Sequence, residues 1–292
     1  LQCLRAIELS SYQESITGAT VKFVVLDGPI GTELARRGVP TPAPAWSAHA
    51  LDVAPNTVAS IHREYAAAGA TVHTANTFRV RRRIFGARWE ALAQRAVRLA
   101  RDSALPGQRV AGSIGPIEDC YRPDLSPGAA SHGEHAELAH ALADLGVDLL
   151  LCETFPHAVE AVVAVKAAVR TGLETWVSLT AGHDASLMTT RAMAEAARAC
   201  AAEGARGVLV NCTPAVQTLA YVEAIATAGV AFGAYANAGS MEDRIGWQTD
   251  EVEGAANYAR LAREWLAAGA TVIGGCCGTG PAHTKALATL VT

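Results

Sequence analysis

Four stretches of the chain repeat one hydrophobic pattern: an alanine-rich amphipathic run, a glycine, a short aliphatic or β-branched run, then a polar residue. They read EYAAAGATVHTANTF, ALADLGVDLLLCETF, CAAEGARGVLVNCTP and EWLAAGATVIGGCCGTG. Counting from Gly69, Gly146, Gly204 and Gly269, the seventh residue on is Asn76, Glu153, Asn211 and Cys276. The pattern predicts a helix closed by a left-handed glycine, a buried strand, and a polar residue emerging at that strand's C-terminal end. Weaker copies predict strands at Val21 to Leu26 before Asp27, Arg109 to Ser113, Thr175 to Thr180, and Val230 to Ala236 before Asn237.

Helical periodicity fills the gaps, near Asn56 to Ala68, Trp89 to Ser103, His132 to Leu145, His157 to Arg170, Thr190 to Glu203, Ala215 to Ala228, Val252 to Ala268 and Pro281 to Leu290. Eight strands alternating with eight helices describe an α/β protein, a single-domain (β/α)8 TIM barrel over residues 21–292, with residues 1–20 as an N-terminal extension. Such barrels carry their active sites at the C-terminal strand ends. A doubly wound open sheet would show a glycine fingerprint after an early strand, and the turn Asp-Gly-Pro-Ile-Gly-Thr-Glu from Asp27 does not fit its spacing. The long connection from Gly28 to Pro55, with Pro40, Pro42, Pro44 and Trp46, is expected as a loop or lid over the barrel mouth.

Composition narrows the function. Of 292 residues, 50% are hydrophobic and 18% charged, enough for a large core, and the net charge of -4 offers no basic footprint for nucleic acid. No apolar run is long enough for a membrane span and no signal peptide is readable, so no membrane partner and a cytoplasmic location are expected. Seven cysteines without regular spacing point to thiols with metal or catalytic work rather than a disulfide framework.

Cys276 and Cys277 are adjacent in Gly-Gly-Cys-Cys-Gly-Thr-Gly after the last strand, and Cys212 follows the sixth strand in Val-Asn-Cys-Thr-Pro. One such cysteine alone reads equally well as a small buried hydrophobe. Three at the same rim describe a zinc site with an open fourth position. Cys152 and Cys200 read as packing residues, and Cys3 and Cys120 have no evident partner. Three thiolates outweigh the charge of Zn2+ and make it a poor activator of water, but a free thiol with a pKa of about 8.5 is deprotonated outright on binding. Methyl transfer to a metal-bound sulfur follows from that chemistry.

The motifs Leu-Asp-Gly-Pro-Ile-Gly-Thr-Glu-Leu from Leu26, Thr-Ala-Asn-Thr-Phe from Thr74, Gly-Ser-Ile-Gly-Pro from Gly112 and Cys-Glu-Thr-Phe from Cys152 come in order. Val-Asn-Cys from Val210, Asn-Ala-Gly from Asn237 and Gly-Gly-Cys-Cys-Gly-Thr from Gly274 complete the series. Over about residues 22–290 the chain resembles the zinc-dependent homocysteine S-methyltransferases, a family that includes the S-methylmethionine and betaine enzymes and the homocysteine domain of methionine synthase. The resemblance implies a (β/α)8 barrel, zinc on Cys212, Cys276 and Cys277, and homocysteine as the methyl acceptor, giving methionine. It also implies that Asn237 fills zinc's fourth position until the substrate displaces it, with an asparagine capping the turn before Gly239 as the alternative. Asp27, Glu153 and the turn at Gly28 match the family's amino acid pocket, where carboxylates pair with an ammonium and backbone N–H groups receive a carboxylate. Asp27 also fits a turn former. Asn76, Thr77 and Ser113 are further polar contacts at the rim.

For the donor, the chain departs from the family with Arg79, Arg81, Arg82 and Arg83 after Phe78. These arginines either attract a carboxylate-bearing donor or form a solvated charged face. The chain stops soon after the eighth helix, which favours a small sulfonium donor, S-methylmethionine or S-adenosylmethionine, over a cobalamin. Trp46, Phe78 and Trp247 either face the donor's charge or belong to the core. The competing expectations are a different thiol or selenol acceptor, a betaine or folate donor, a zinc- or thiol-binding barrel without turnover, and a redox protein switching Cys276 and Cys277.

Overall fold

The alternating pattern folds into a ring of parallel strands with a helix outside each crossover. The structure, a computed structural model, describes residues 23–291. The extension expected over residues 1–20, the start of the first strand and Cys3 lie outside the described residues. The strands are β1 (Val24–Val25), β2 (Val72–Ala75), β3 (Arg109–Ile114), β4 (Leu149–Phe155), β5 (Thr175–Leu179), β6 (Gly207–Pro214), β7 (Ala231–Asn237) and β8 (Val272–Gly275). They pair in the order β1-β8-β7-β6-β5-β4-β3-β2. The two ends of that order meet where Leu26 bridges Val72 in parallel, and the N–H groups of Thr71 and Asp27 donate to Val25 O at 2.8 Å and Val72 O at 3.0 Å.

The outer helices are α1 (Pro55–Ala67), α2 (Trp89–Ser103), α3 (His132–Asp144), α4 (Ala158–Val169), α5 (Thr190–Ala202), α6 (Ala215–Ile225), α7 (Glu251–Ala267) and α8 (Pro281–Ala288). Four of them end as the repeat predicts: Gly69, Gly146, Gly204 and Gly269 have φ of +100°, +76°, +107° and +98°. At Gly269 the motif is complete, with Gly269 N–H donating to Leu266 O at 2.9 Å and Ala270 N–H to Trp265 O at 3.0 Å. This left-handed closure satisfies the last carbonyls of the helix and reverses the chain into the next strand.

Side chains alternate across the wall of the ring. Leu26, Val72, Ala111, Leu149, Leu151, Trp176 and Leu209 fill the interior. Val110, Leu150, Cys152, Val177, Val208, Ala234 and Ile273 face the helices, and Cys200 packs in that same layer. Cys152 and Cys200 are therefore packing residues.

The connection expected as a loop from Gly28 to Pro55 is more ordered than that. It contains helices at Ile30–Arg36 and Ala50–Val53 and a tight turn of helix at Trp46–His49. Ile30, Leu34 and Leu51 bury against Val58, Ile61 and Tyr65 of α1. Burial of about 1.5–3 kcal/mol for each such aliphatic side chain outweighs the weak helical preference of a proline-rich segment. The folded connection sits on the barrel rim, where Thr41, Trp46 and Ser47 line the mouth.

Candidate active site

A cavity of about 880 Å3 opens at the C-terminal ends of the strands, and its wall includes Asp27, Gly28, Asn76, Ser113, Glu153, Cys212, Cys276 and Cys277. Two irregularities aim the key side chains into it. Register shifts in β4 between Cys152 and Phe155 and in β6 between Asn211 and Pro214. Within them Thr154 and Cys212 adopt φ of +65° and +46°. A β-branched residue in this region is strained, and such bulges re-aim side chains next to functional sites. Asn211 Nδ2 donates to Thr154 Oγ1 at 2.8 Å and ties the two bulges together.

The three sulfurs expected to converge do so. Cys212, Cys276 and Cys277 bring their Sγ atoms within 4.8 Å of one another, and Cys276 and Cys277 Sγ lie 4.0 Å apart. Cys212 and Cys276 are joined as a disulfide with Cα atoms 5.7 Å apart, whereas Cys277 is a free thiol. The oxidised pair thus spans two strands, not the vicinal cysteines that the redox alternative invoked. Once reduced, the group offers three soft sulfur donors and no competing carboxylate, a set suited to zinc over hard cations. Burial pushes the Cys277 thiol pKa up, so a positive charge is needed to hold it as thiolate.

Beside the sulfurs lie two carboxylates without a cationic partner. Glu153 accepts from Ser113 Oγ on one oxygen and from Tyr235 Oη on the other at 2.9 Å. Burial raises its pKa despite both hydrogen bonds. Asp27 accepts the Thr74 N–H at 2.9 Å, and burial, reinforced by the charge of Glu153, pushes its pKa well up. Among the described residues neither carboxylate forms an ion pair with lysine or arginine. An acidic, desolvated site of this kind is stabilised by an incoming ammonium.

The remaining expected residues divide between wall and support. Asn76 is tied to the folded connection, its Oδ1 accepting from Ser47 Oγ at 2.7 Å and its Nδ2 donating to Ser47 O at 2.9 Å. Thr77 stands behind the wall, where Oγ1 donates to Ser113 O at 2.8 Å and accepts the Ser113 N–H at 3.0 Å. Asn237 donates from Nδ2 to Cys212 O at 2.8 Å and accepts the Gly239 N–H on Oδ1 at 2.7 Å. It thus braces the bulge that carries Cys212.

The arginine run is not one charged face. Arg79 and Arg81 are buried. Arg79 donates to Pro44 O at 3.1 Å, Pro116 O at 3.4 Å and Glu118 O at 2.8 Å, and Arg81 to Gly115 O at 2.9 Å. Only Arg82 and Arg83 are solvated, paired with Glu137 and Glu134 at 2.7 and 2.8 Å. Trp46 stacks on Phe78 with ring centroids 5.9 Å apart and carries the Arg79 guanidinium 5.1 Å from its centroid. Trp247 is 47% exposed at the rim. Sequence reasoning missed Tyr235, which shares a strand face with Asn237 two residues on, and gave Cys120 no place although it lines the cavity.

A family model described as homocysteine S-methyltransferase matches residues 24–291. The chain belongs to the homocysteine S-methyltransferase family. Within that family, homocysteine S-methyltransferase YbgG of Bacillus subtilis is 31% identical, over 92% of this chain and 94% of its own. The metallated form of the homocysteine methyltransferase MmuM from Escherichia coli is similar in structure, with a TM-score of 0.77 and 26% identity over 92% of this chain and 96% of that one. Its oxidised form gives the same TM-score at 25% identity. Family membership makes the protein an enzyme of methyl transfer to homocysteine. Among the described residues no helix is long and apolar enough to cross a membrane.

Proposed function

We propose that the protein transfers a methyl group from a small sulfonium donor, S-methylmethionine or S-adenosylmethionine, to the thiol of homocysteine at a zinc centre formed by Cys212, Cys276 and Cys277. The observation that carries this reading is the meeting of three sulfurs and two carboxylates without a lysine or arginine partner, Asp27 buried and Glu153 half-buried, on the wall of one cavity. Zinc bound there supplies a deprotonated, electron-rich substrate sulfur at neutral pH.

The chain's own residues supply position. Asp27 and Glu153 receive the homocysteine ammonium, with Tyr235 and Ser113 fixing the Glu153 carboxylate. The turn at Gly28 offers backbone N–H groups to the substrate carboxylate. Leu26, Phe78 and Tyr235 in the cavity wall exclude water from the reacting sulfur. Attack on a sulfonium methyl releases a neutral thioether, so no protein nucleophile or general base is needed, and catalysis rests on in-line positioning. Trp247, exposed at the rim, presents an aromatic face to the donor's positive charge.

The test is a donor panel: reduced, zinc-loaded protein with homocysteine and, in parallel, S-methylmethionine, S-adenosylmethionine, betaine or methyltetrahydrofolate, with methionine read by mass spectrometry. Methionine from a sulfonium donor is expected. Turnover only with betaine or the folate overturns the donor assignment, and no methionine from any donor overturns homocysteine methylation itself.

A further inference from the structure

Behind Asp27 lies a group of buried polar side chains that the chemistry above does not use. His62 stands on the apolar face of α1 and His73 on the outward face of β2, both wholly buried. Their Nδ1 atoms lie 3.9 and 4.0 Å from Asp27 Oδ2. Neither Nδ1 has a hydrogen-bond partner among the described residues, nor does His62 Nε2.

Gln108 fixes the tautomer of His73. Its Oε1 accepts the Leu105 N–H at 2.6 Å while its Nε2 donates to Ala66 O at 3.3 Å, so the amide orientation is set at both ends. His73 Nε2, 2.9 Å from that same Oε1, must therefore carry the ring proton. The neutral ring turns a bare lone pair on Nδ1 toward the Asp27 oxygen. Burial keeps both imidazoles neutral, lowering the His62 pKa to about 3 and lowering that of His73. Two acceptors facing each other in a buried site need a donor between them.

Spacing decides what that donor is. A tetrahedral zinc with bonds of about 2.0–2.1 Å holds its ligand atoms roughly 3.3 Å apart. Partners of one water at about 2.8 Å, seen at angles of roughly 90–110°, stand about 4.0–4.6 Å apart. The separations of 3.9 and 4.0 Å match the water. The hydrogens at the water close as well: one water donates to His73 Nδ1 and Asp27 Oδ2 and accepts from His62 Nδ1, the three partners typical of a buried water, and leaves only His62 Nε2 without a partner among the described residues.

We infer that Asp27, His62 and His73 share one internal water, through which the two imidazoles position the Asp27 carboxylate for the ammonium of the amino acid thiol. The inference rests on the reading of Asp27 as an ammonium-binding group. With Oδ2 occupied by this water and the Thr74 N–H, Oδ1 keeps its acceptor capacity for the ligand. His62 and His73 are thus positioning residues, one shell behind the substrate.

The test compares homocysteine with 4-mercaptobutanoate, the same thiol without its ammonium, used as a competitor. His62→Leu and His73→Leu are expected to raise the homocysteine KM by about tenfold, with kcat within about twofold and the competitor's Ki unchanged. His62→Asn and His73→Asn, whose amides place a donor or an acceptor near the former Nδ1, are expected to restore most of the affinity. Asp27→Asn is the reference: if it leaves discrimination between the two thiols intact, the ammonium-pocket reading fails and the positioning role falls with it, whereas lost discrimination in Asp27→Asn with none lost in the histidine variants overturns the positioning role alone. Equal effects on both thiols, or a change in stability alone, overturn the positioning role. Retention of one divalent ion by a variant with serine at all three metal-site cysteines, and its loss with His73→Leu, would make the site a metal centre and overturn the water. If the leucine variants do not fold, a crystal structure of the wild-type protein decides: density for the water upholds the inference, and its absence overturns it.

Discussion

Tyr235 donates its phenolic hydrogen to Glu153 Oε2 at 2.9 Å, joining the ends of β7 and β4 across the barrel mouth. Ser113 occupies the other carboxylate oxygen. The carboxylate is thereby held in place by neutral donors but not neutralised, and burial leaves its pKa above the ordinary value of 4.5. A group so arranged binds a cation well and burdens the fold that carries it.

That burden is measurable. A carboxyl whose folded pKa lies above its unfolded one favours the fold below the unfolded value and loses that contribution as pH rises through the folded value. Glu153→Gln is therefore expected to raise the Tm of the reduced, metal-free protein at pH 7, by about 2 °C or more, with the gain vanishing toward pH 4. The same change should raise the homocysteine KM at least about tenfold, since it removes a charged partner. Thermal denaturation across the pH range and steady-state kinetics read the two effects, and a variant with lowered Tm at pH 7 and unaltered KM contradicts both.

In the proposed centre Cys212 and Cys276 would be either a disulfide or two metal ligands, never both at once, because a ligand must be a thiolate. Protein kept without reductant is expected to take up less than about 0.2 equivalents of zinc, rising to about one after reduction. Cys276→Ser should abolish uptake in both states and lower turnover by about a thousandfold or more, with an unchanged far-ultraviolet circular dichroism spectrum. Full activity in that variant would remove the metal from the mechanism.

The buried and exposed arginines predict opposite outcomes. Arg79 satisfies three loop carbonyls, and Arg79→Leu leaves them without donors, which should lower Tm by about 6 °C or more. Arg82→Ala and Arg83→Ala, each losing solvated pairs, should move Tm by no more than about 2 °C. If these two charges recruited the donor, their loss would raise the donor KM in a salt-dependent way. No such rise is expected.

The parts that a local pattern specifies were legible in the chain. Gly69, Gly146, Gly204 and Gly269 mark helix ends because only a left-handed residue closes them cheaply, and a constant spacing from that glycine then carries Glu153, Asn211 and Cys276 to the rim. Positions set by distant contacts were not legible. Arg79 and Arg81 look like part of a charge run, and only the fold brings Pro44 O of the connection and Pro116 O and Glu118 O of the loop after β3 around Arg79. That connection itself is helical because Leu34 and Leu51 find α1, which no local preference announces. Nor does a window around β2 show that His73 meets His62.

Trp247 supplies the sharpest division between the two substrates. Its backbone is left-handed, with φ of +53°, and its Nε1 donates to Gly239 O at 2.8 Å. The ring packs so closely on Gly278, next to Cys277, that a β-carbon there would lie 2.9 Å from it. It remains 47% exposed and lines the cavity, so part of the ring is uncovered at the mouth. A cation over such a face gains about 0.5–2 kcal/mol, which sets the expected rise in donor KM for Trp247→Ala at about 3-fold to 30-fold. Trp247→Phe should keep much of the affinity because the smaller ring still presents a π face. The homocysteine KM, which the proposal assigns to Asp27, Glu153 and the three sulfurs, should stay within about twofold in both variants. If the two KM values rise together, Trp247 shapes the whole mouth and does not recognise the donor's charge.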